Sequence, residues 1–509
     1  MKRITLFLTL AALVLVGCDG GNSSTSESEL LPPPVIADPN GEAKSKEPEN
    51  GDVIKILHLN DTHGSIEQIA EENEPGMTRI ATYDKNKRAE AKTDVVMISS
   101  GDMFQGSLDS NINKGRLMID IMKEMRFDSM SIGNHEFDWG VSALEANATY
   151  AMDAEGDWSF PFLSANILNP EGQYDIGYLS TTFNRGGARI SVVGSIDAGV
   201  YDSIDAAVVE GYSFTNATAM VIAEAQRLRA AGSDLIIYST HDKNREVDSR
   251  IANYVDAVFT GHSHYYSIDT MTSSDSRIVP VIESLSNGKA VGEVDFVYNA
   301  ASNRYELGDY KNTPSSVIET LAADVDVQGV YDTYLDAPCA DGIVVADSLR
   351  ELKTNKIGEI TSSSKYASGG ISENEVREMF AIAQLENYQD ESYGTIHGSS
   401  YNEARSGWNV GDITYSDVYK AFPFDNATVI IEATGEQLKR WNTYTYFDGG
   451  LTKYDLVNTT TYKVVTSTYI INNNEKYNYT SVFHTDENMF QRHVLYQEFL
   501  KANAPDPWG

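Results

Sequence analysis

Two cysteines in 509 residues, Cys18 and Cys339, exclude a disulfide framework, and a chain this long needs none to hold a core together. Basic residues are also scarce: 39 Lys and Arg stand against 74 Asp and Glu, a formal charge of -35. A polyanion of that strength cannot displace the counterions of another, so nucleic acid is excluded as a partner. For the same reason, any phosphate-binding cleft needs cations beside it. Long apolar runs are missing. The stretch Ile4 to Val16, behind Lys2 and Arg3, is too short to span a bilayer as a mature helix, and no second long run follows it. No internal repeat is visible, and the length predicts two large domains.

The N-terminus reads as a signal peptide. Leu15-Val16-Gly17-Cys18 resembles a bacterial lipobox, which implies cleavage before Cys18 and lipid on its sulfur and amine. Residues 1–18 are then a lipoprotein signal, and the protein is exported and anchored to a membrane facing the periplasm or the cell exterior. The membrane is met only through that anchor. Residues 19–52 are Ser, Glu, Pro, Asn and Gly with almost no large apolar side chains, too little to offset the entropy of ordering, and are expected to be a disordered tether.

From Val53 onward, short β-branched runs alternate with amphipathic stretches, the pattern of an α/β domain. VIKILHLN, DVVMISS, SMSIG, RISVVGS, DLIIYS and DAVFTG each predict a strand. DTHG, GDMFQG, NHEFDWG, THDKN and HSHYYS come after such strands, so polar chemistry gathers where strands end, the edge at which open α/β sheets bind ligands. Between about Glu306 and Lys356 the pattern turns helical, and VIETLAADVDVQGVYDTYL predicts a linking helix. Beyond it, ENEVREMFAIAQLENY predicts a helix and ATVIIEA and TYKVVTSTYII predict strands, hence a second α/β domain. The expected bounds are 53–310 for the first domain, 311–345 for the linker and 346–509 for the second.

Six of the nine histidines lie between His58 and His264, and five of these follow predicted strands beside Asp or Asn. Singly, each residue has an ordinary explanation: Asp61 or Asn134 can cap a helix, and His241 can be a loop histidine. Together they read as a metal centre. Imidazole and oxygen donors without thiolate suit Zn, Mn, Fe or Co. In Asp61-Thr62-His63 the period of an extended chain turns both side chains to one side, and in His262-Ser263-His264 the same alternation offers one imidazole to each of two ions. Asp102, after Gly101, is placed to bridge them. Asn134, a neutral donor used beside His241 and His262, limits the negative charge on the second ion. His58, inside a strand, is assigned to packing.

The ordered set DTHG, GDMFQG, GNHEFD, THD and GHSH resembles the calcineurin-like metallophosphoesterases, and among them the bacterial 5′-nucleotidase and UDP-sugar hydrolase branch. The resemblance implies an α/β protein with an N-terminal four-layer α/β/β/α domain, joined by a helix to a C-terminal α/β substrate-binding domain of 5′-nucleotidase type. It implies two divalent metal ions, with Asp61, His63, Asp102 and His264 on one and Asp102, Asn134, His241 and His262 on the other. His135 matches the family's catalytic histidine and Asp138 its carboxylate partner; on the chemistry of the residues alone, the pair could instead only orient Asn134. Two such ions clamp both sides of an in-line phosphoryl transfer and lower the pKa of water.

HGSSYNEARSGWNVGDITYSDVYKAFPFDN resembles the family's nucleotide-recognition segment, whose pattern includes NGGGIR, GxIT and PFxN. Arg405 falls on its arginine, a holder of phosphate oxygens, and Phe424 on the aromatic that stacks on a base. YIINNNEKY matches FLANGGDGF in length, placing Tyr469 on the second stacking aromatic and Glu475 on the acidic position. Three features depart from the pattern. Tyr401, Asn402 and Glu403 replace three glycines, NNE replaces GGD, and the arginine of RESNLGNL has no counterpart in SENEVREMFA, where Arg377 lies out of register. Phe424 and Tyr469 also suit a core. The substrate implied is a nucleoside 5′-monophosphate or related nucleotide, with 2′,3′-cyclic nucleotides, nucleotide sugars and general phosphomonoesters as alternatives. A noncatalytic surface binding protein of the same fold would show a broken ligand set, and no ligand position is missing here.

Overall fold

The computed structural model describes residues 34–38, 40, 46–153, 158–360, 370–401, 404–441, 443–447, 451–473 and 477–502; Cys18 and Glu475 lie outside them. A pleated strand sends successive side chains to opposite faces, and a strand buried on both faces must be apolar throughout. Val53–Leu59 follows this rule. Ile54 and Ile56 point into one core and Leu57 and Leu59 into another, and Thr93–Ser99 repeats the split with Val96 and Ile98 against Val95 and Met97. The shared core of Ile54, Ile56, Val96 and Ile98 lies against Ile190, Val192, Ile237 and Phe259 of a second sheet. Each aliphatic side chain buried this way contributes about 1.5–3 kcal/mol relative to exposure.

The outer face of the first sheet is covered by helices Met77–Arg88 and Arg116–Glu124, and that of the second by Thr218–Ala230. The result is a helix, sheet, sheet, helix stack. All six strands expected in this domain form, as Val53–Leu59, Thr93–Ser99 and Ser129–Ser131 in a six-stranded sheet and Ala188–Ile196, Leu235–His241 and Ala257–Phe259 in a seven-stranded one. Within each trio the pairing is parallel, so the C-terminal ends share an edge. Beyond Phe259 two antiparallel pairs, Tyr266–Thr272 with Ile278–Ser284 and Ala290–Asn299 with Arg304–Pro314, extend the two sheets, one pair each.

Two expectations are revised. The tether expected over 19–52 does not extend that far: Ile36–Ala37 pairs in parallel with Thr181 and Thr182, because a sheet edge offers unpaired backbone groups that any extended segment can meet. The pattern expected to turn helical from about Glu306 remains a strand to Pro314, and the stretch expected as one linking helix forms a short helix, Ser315–Ile318, and a separate one, Val325–Leu335. Asp324 divides them, its carboxylate accepting the N–H groups of Asp326 and Val327 at 3.1 Å as an N-cap. Val327, Tyr331 and Leu335 of the second helix pack into the first domain's outer core, so it belongs to that domain's helical layer.

The second domain holds a five-stranded sheet in the order Tyr444–Phe447, Gly398–Tyr401, Thr461–Ser467, Ala427–Thr434, Ser481–Phe490. Helix Glu373–Asn387 forms as expected, opened by a capping box between Ser372 and Glu375, and packs with helix Gln491–Ala502. The strand expected to run to Ile471 ends at Ser467. Its neighbour begins at Ala427, whose N–H is taken by the Thr468 hydroxyl, so no ladder remains and Thr468–Asn472 coils into a short helix. No helix among the described residues is long and apolar enough to cross a membrane.

Candidate metal centre and substrate cleft

The loops that leave the parallel strands carry unusual backbone. Asp61, His63, Asp102, His262 and His264 all have positive φ, between 49° and 71°. A side chain in this left-handed region costs roughly 1–2 kcal/mol, and such strain persists where packing over-determines it, commonly at functional sites. The extended alternation expected for DTH and HSH is therefore replaced by left-handed turns, which fold both side chains of each motif back over the sheet edge. Glycines make room for the turns: a Cβ on Gly133 would run into Asp102 Oδ1, and one on Gly261 would lie 3.0 Å from Asp61 Oδ2.

Seven side chains from five strand ends converge as a result. Asp61, His63 and His264 form one group, with Asp61 Oδ1 3.2 Å from His264 Nε2 and the Nε2 atoms of the two rings 3.1 Å apart. Asp102, His241 and His262 form another, in which His241 Nε2 is 3.1 Å from both Asp102 Oδ2 and Asn134 Oδ1. Within each group the potential ligand atoms lie within 4.8 Å of one another.

The donors fit metal ions. His63 Nδ1 is 2.9 Å from the Gln105 carbonyl and His241 Nδ1 is 2.7 Å from the Ser100 carbonyl. A carbonyl can only accept, so each Nδ1 carries the proton and each Nε2 is turned to its cluster. Burial, reinforced by His135, pulls the His63 ring down to about 4, which keeps it in the neutral ligand form. Burial also opposes charge on His241, yet Asp102 and Asp61 override it and push that ring up to about 10. Two buried carboxylates, Asp102 and Asp61, thus set negative charge around this ring, a charge that cations held there would neutralise. Asp61 Oδ1 is buried and faces the ring nitrogens of His264 and His63 at 3.2 and 3.9 Å, an acceptor placed among the other donors of its cluster.

His135 opens a short 3-10 helix right after Asn134. Its N–H donates to Asp102 Oδ1 at 2.8 Å, and its Nδ1 lies 2.8 Å from Asp138 Oδ2. Burial works against the imidazolium, but Asp138 and Asp102 push the ring up to about 9. His58 stays out of the site, as expected: it is fully buried between the sheets, 4.7 Å from the Phe259 ring, with Nε2 2.8 Å from Ser100 Oγ.

The centre opens into a cleft of about 990 Å³ between the two domains. His135, Asp138 and Trp139 line it from one side, Arg405, Phe424 and Tyr469 from the other. The Phe424 ring stacks on His135 at 5.9 Å and 22°, and the Arg405 guanidinium lies 5.1 Å from the centre of the same Phe424 ring. Arg377, out of register in the sequence, is nevertheless a cleft residue, 7% exposed.

Comparison with known proteins agrees with this geometry. Residues 54–266 match the calcineurin-like phosphoesterase model, and residues 356–445 match that of the 5′-nucleotidase C-terminal domain. The chain is a two-domain calcineurin-like metallophosphoesterase. A probable 5′-nucleotidase of Treponema pallidum (strain Nichols) is 25% identical over 450 residues, 76% of this chain and 74% of that one. A snake venom 5′-nucleotidase from Crotalus adamanteus is 28% identical over 286 residues, 49% of this chain and 46% of the venom protein, so the match spans about half of each. The crystal structure of a 5′-nucleotidase precursor from Thermus thermophilus shares the fold with a TM-score of 0.69, at 18% identity over 88% of this chain and 96% of that one. The protein is accordingly a phosphoric ester hydrolase, of a family that uses two divalent metals.

Several supports of this metallophosphoesterase centre escaped the sequence reading. The Glu136 carboxylate accepts the N–H groups of Asp102, Met103 and Gly133 at 2.7–2.9 Å, tying the GD loop to the NHE loop. Its place inside GNHEFD was the available signal. Asn60 donates to Asp61 Oδ2 at 2.7 Å and to the Leu285 carbonyl at 2.6 Å. Gln105 orients His63 through its carbonyl while its amide donates to the Pro423 carbonyl of the second domain at 3.2 Å. Glu283 holds the HSH turn from below, accepting from the Ser263 hydroxyl at 2.7 Å and the Tyr265 N–H at 3.1 Å. Nothing near Glu283 in the sequence announces that role.

Proposed function

We propose that this protein hydrolyses nucleoside 5′-monophosphates or related nucleotides outside the cytoplasm. In this reading Asp61, His63 and His264 hold one metal ion, Asn134, His241 and His262 hold the other, and Asp102 serves both. The observation that carries it is the pair of three-residue clusters, with the Nε2 atoms of His63 and His241 turned inward, at the floor of a cleft whose far wall bears Arg405, Phe424 and Tyr469. Bound there, two divalent ions would supply Lewis acidity to the phosphoryl group and activate water as the nucleophile.

The chain's own residues do the rest. His135, kept protonated by Asp138, offers an N–H to the phosphoryl oxygens or a proton to the departing alkoxide. Arg405 pairs with the substrate's anionic oxygens, and Phe424 and Tyr469 present flat faces to the base. Glu475 is assigned to the ribose hydroxyls by resemblance. The lipobox-like segment ending at Cys18 supports export with a lipid anchor.

A substrate panel on the metal-loaded protein tests the reading. AMP is expected to turn over best among AMP, UDP-glucose, 2′,3′-cyclic AMP and p-nitrophenyl phosphate. Activity on p-nitrophenyl phosphate alone would remove nucleotides as substrates. The replaced glycines at Tyr401, Asn402 and Glu403 favour a general phosphomonoesterase as the second reading, since a side chain forgoes the close backbone approach that glycine permits.

A further inference from the structure

Arg492, in the first turn of helix Gln491–Ala502, is 0% exposed although it lies far from the metal clusters in the chain. A buried guanidinium is costly unless its donors all find acceptors. Its fork grips Asp341 at both ends, Nε to Oδ2 at 2.6 Å and Nη2 to Oδ1 at 2.7 Å. The remaining donors reach outward: Nη1 to the Phe424 carbonyl at 2.8 Å and Nη2 to Asp425 Oδ1 at 2.6 Å. The rings of Tyr419 and Phe490 flank the guanidinium at 4.4 and 4.8 Å, and the Tyr415 hydroxyl donates to Asp341.

Stability alone does not account for this arrangement, because apolar side chains of similar volume serve a core as well as a buried ion pair does. What the pair adds is direction. The Phe424 carbonyl is held inward by Arg492, the preceding Pro423 carbonyl accepts from Gln105 and Asn111 of the first domain at 3.2 and 3.1 Å, and the Phe424 ring is left projecting into the cleft against His135. Asp341 itself comes from the short hairpin Cys339–Asp341 with Val344–Ala346, which follows the linking helices. A lysine could not reproduce the geometry, since one ammonium cannot grip a carboxylate as a fork and still span two further acceptors.

We propose that Arg492, locked onto Asp341, is the positioning residue for the Phe424 platform, and through it for selection of substrates that carry a flat base. The inference rests on the proposed reading in which Phe424 meets the nucleotide base. The hydrogen bonds of Arg492 go to Asp341, Asp425 and the Phe424 carbonyl and to none of the clustered Asp, His and Asn side chains, so its effect belongs in selectivity.

The test uses the full metal-loaded chain and compares kcat/KM for AMP with that for glycerol 2-phosphate, which has no flat ring. For R492K the ratio is expected to fall roughly tenfold, mainly through KM for AMP, with metal content retained. F424A is the reference and is expected to lower the same ratio. If F424A leaves the ratio unchanged, the base-stacking reading fails, whatever Arg492 does. If F424A lowers it and R492K does not, the assignment of Arg492 fails; a parallel loss on both substrates in R492K marks a purely structural residue and fails it too. Should R492K not fold, Y415F, which removes a donor to Asp341 without burying a charge, is expected to lower the ratio about threefold. An unchanged ratio in Y415F overturns the proposal.

Discussion

The two domains meet at one cleft but are built to different tolerances. In the first, five of the seven clustered side chains stand on left-handed backbone at strand ends, and Asp61, Asp102 and His241 are essentially buried and each held by further hydrogen bonds. In the second, Arg405 is exposed and Phe424 half-buried, on a loop whose backbone is clamped from both domains. The contrast teaches that chemistry at phosphorus demands fixed charges at fixed places, whereas recognition of the rest of the substrate tolerates change. The motifs follow suit: every Asp, His and Asn of the first domain's motif set is present, while the glycines expected in the second have become Tyr401, Asn402 and Glu403.

Breaking the first domain should therefore abolish turnover, and breaking the second should redistribute it. The largest effect is expected for D102A, which on the proposed reading removes the one carboxylate that serves both ions. Turnover should fall by about 10⁴-fold or more, with fewer than two ions per chain by elemental analysis. H135A should lower kcat by about 10²–10⁴-fold while both ions remain, a result that metal analysis beside steady-state kinetics would show. Retained turnover in either variant would erase the distinction between the domains.

R405A probes the other side. KM for AMP should rise about tenfold while kcat changes much less, because the lost ion pair acts on binding; an equal fall in kcat would place Arg405 with the catalytic groups. The smallest effect is expected for E136Q. Its amide keeps the shape but turns a donor toward backbone N–H groups that need acceptors, costing about 1–3 kcal/mol of stability. A melting temperature lowered by several degrees in thermal denaturation would register it, and an unchanged one would show the two loops to be independent.

Much of the centre was legible because each clustered side chain sits in a short motif at the end of an apolar strand. Asp61 and His63 follow VIKILHLN, and Asp102 follows DVVMISS. The strands themselves were legible because burial on both faces writes a continuous apolar run. The extended geometry expected inside DTH and HSH was not found, since left-handed turns are imposed by the glycines and loops packed around them. Tyr469 was expected on a strand and stands on a helix, because the end of its partner strand, not its own propensity, stops the ladder at Ser467.

The amino-acid order by itself determined six strands of the first domain, the donor types and the helix Glu373–Asn387, because these depend on local periodicity and on side chains a few residues apart. Tertiary structure alone decided how closely the donors approach one another, that Arg377 reaches the cleft, and that Arg492 meets Asp341 across 151 residues. Such pairings are set by how sheets stack and where the chain returns, and a contact made by closing a long loop leaves no periodic trace in the segments it joins.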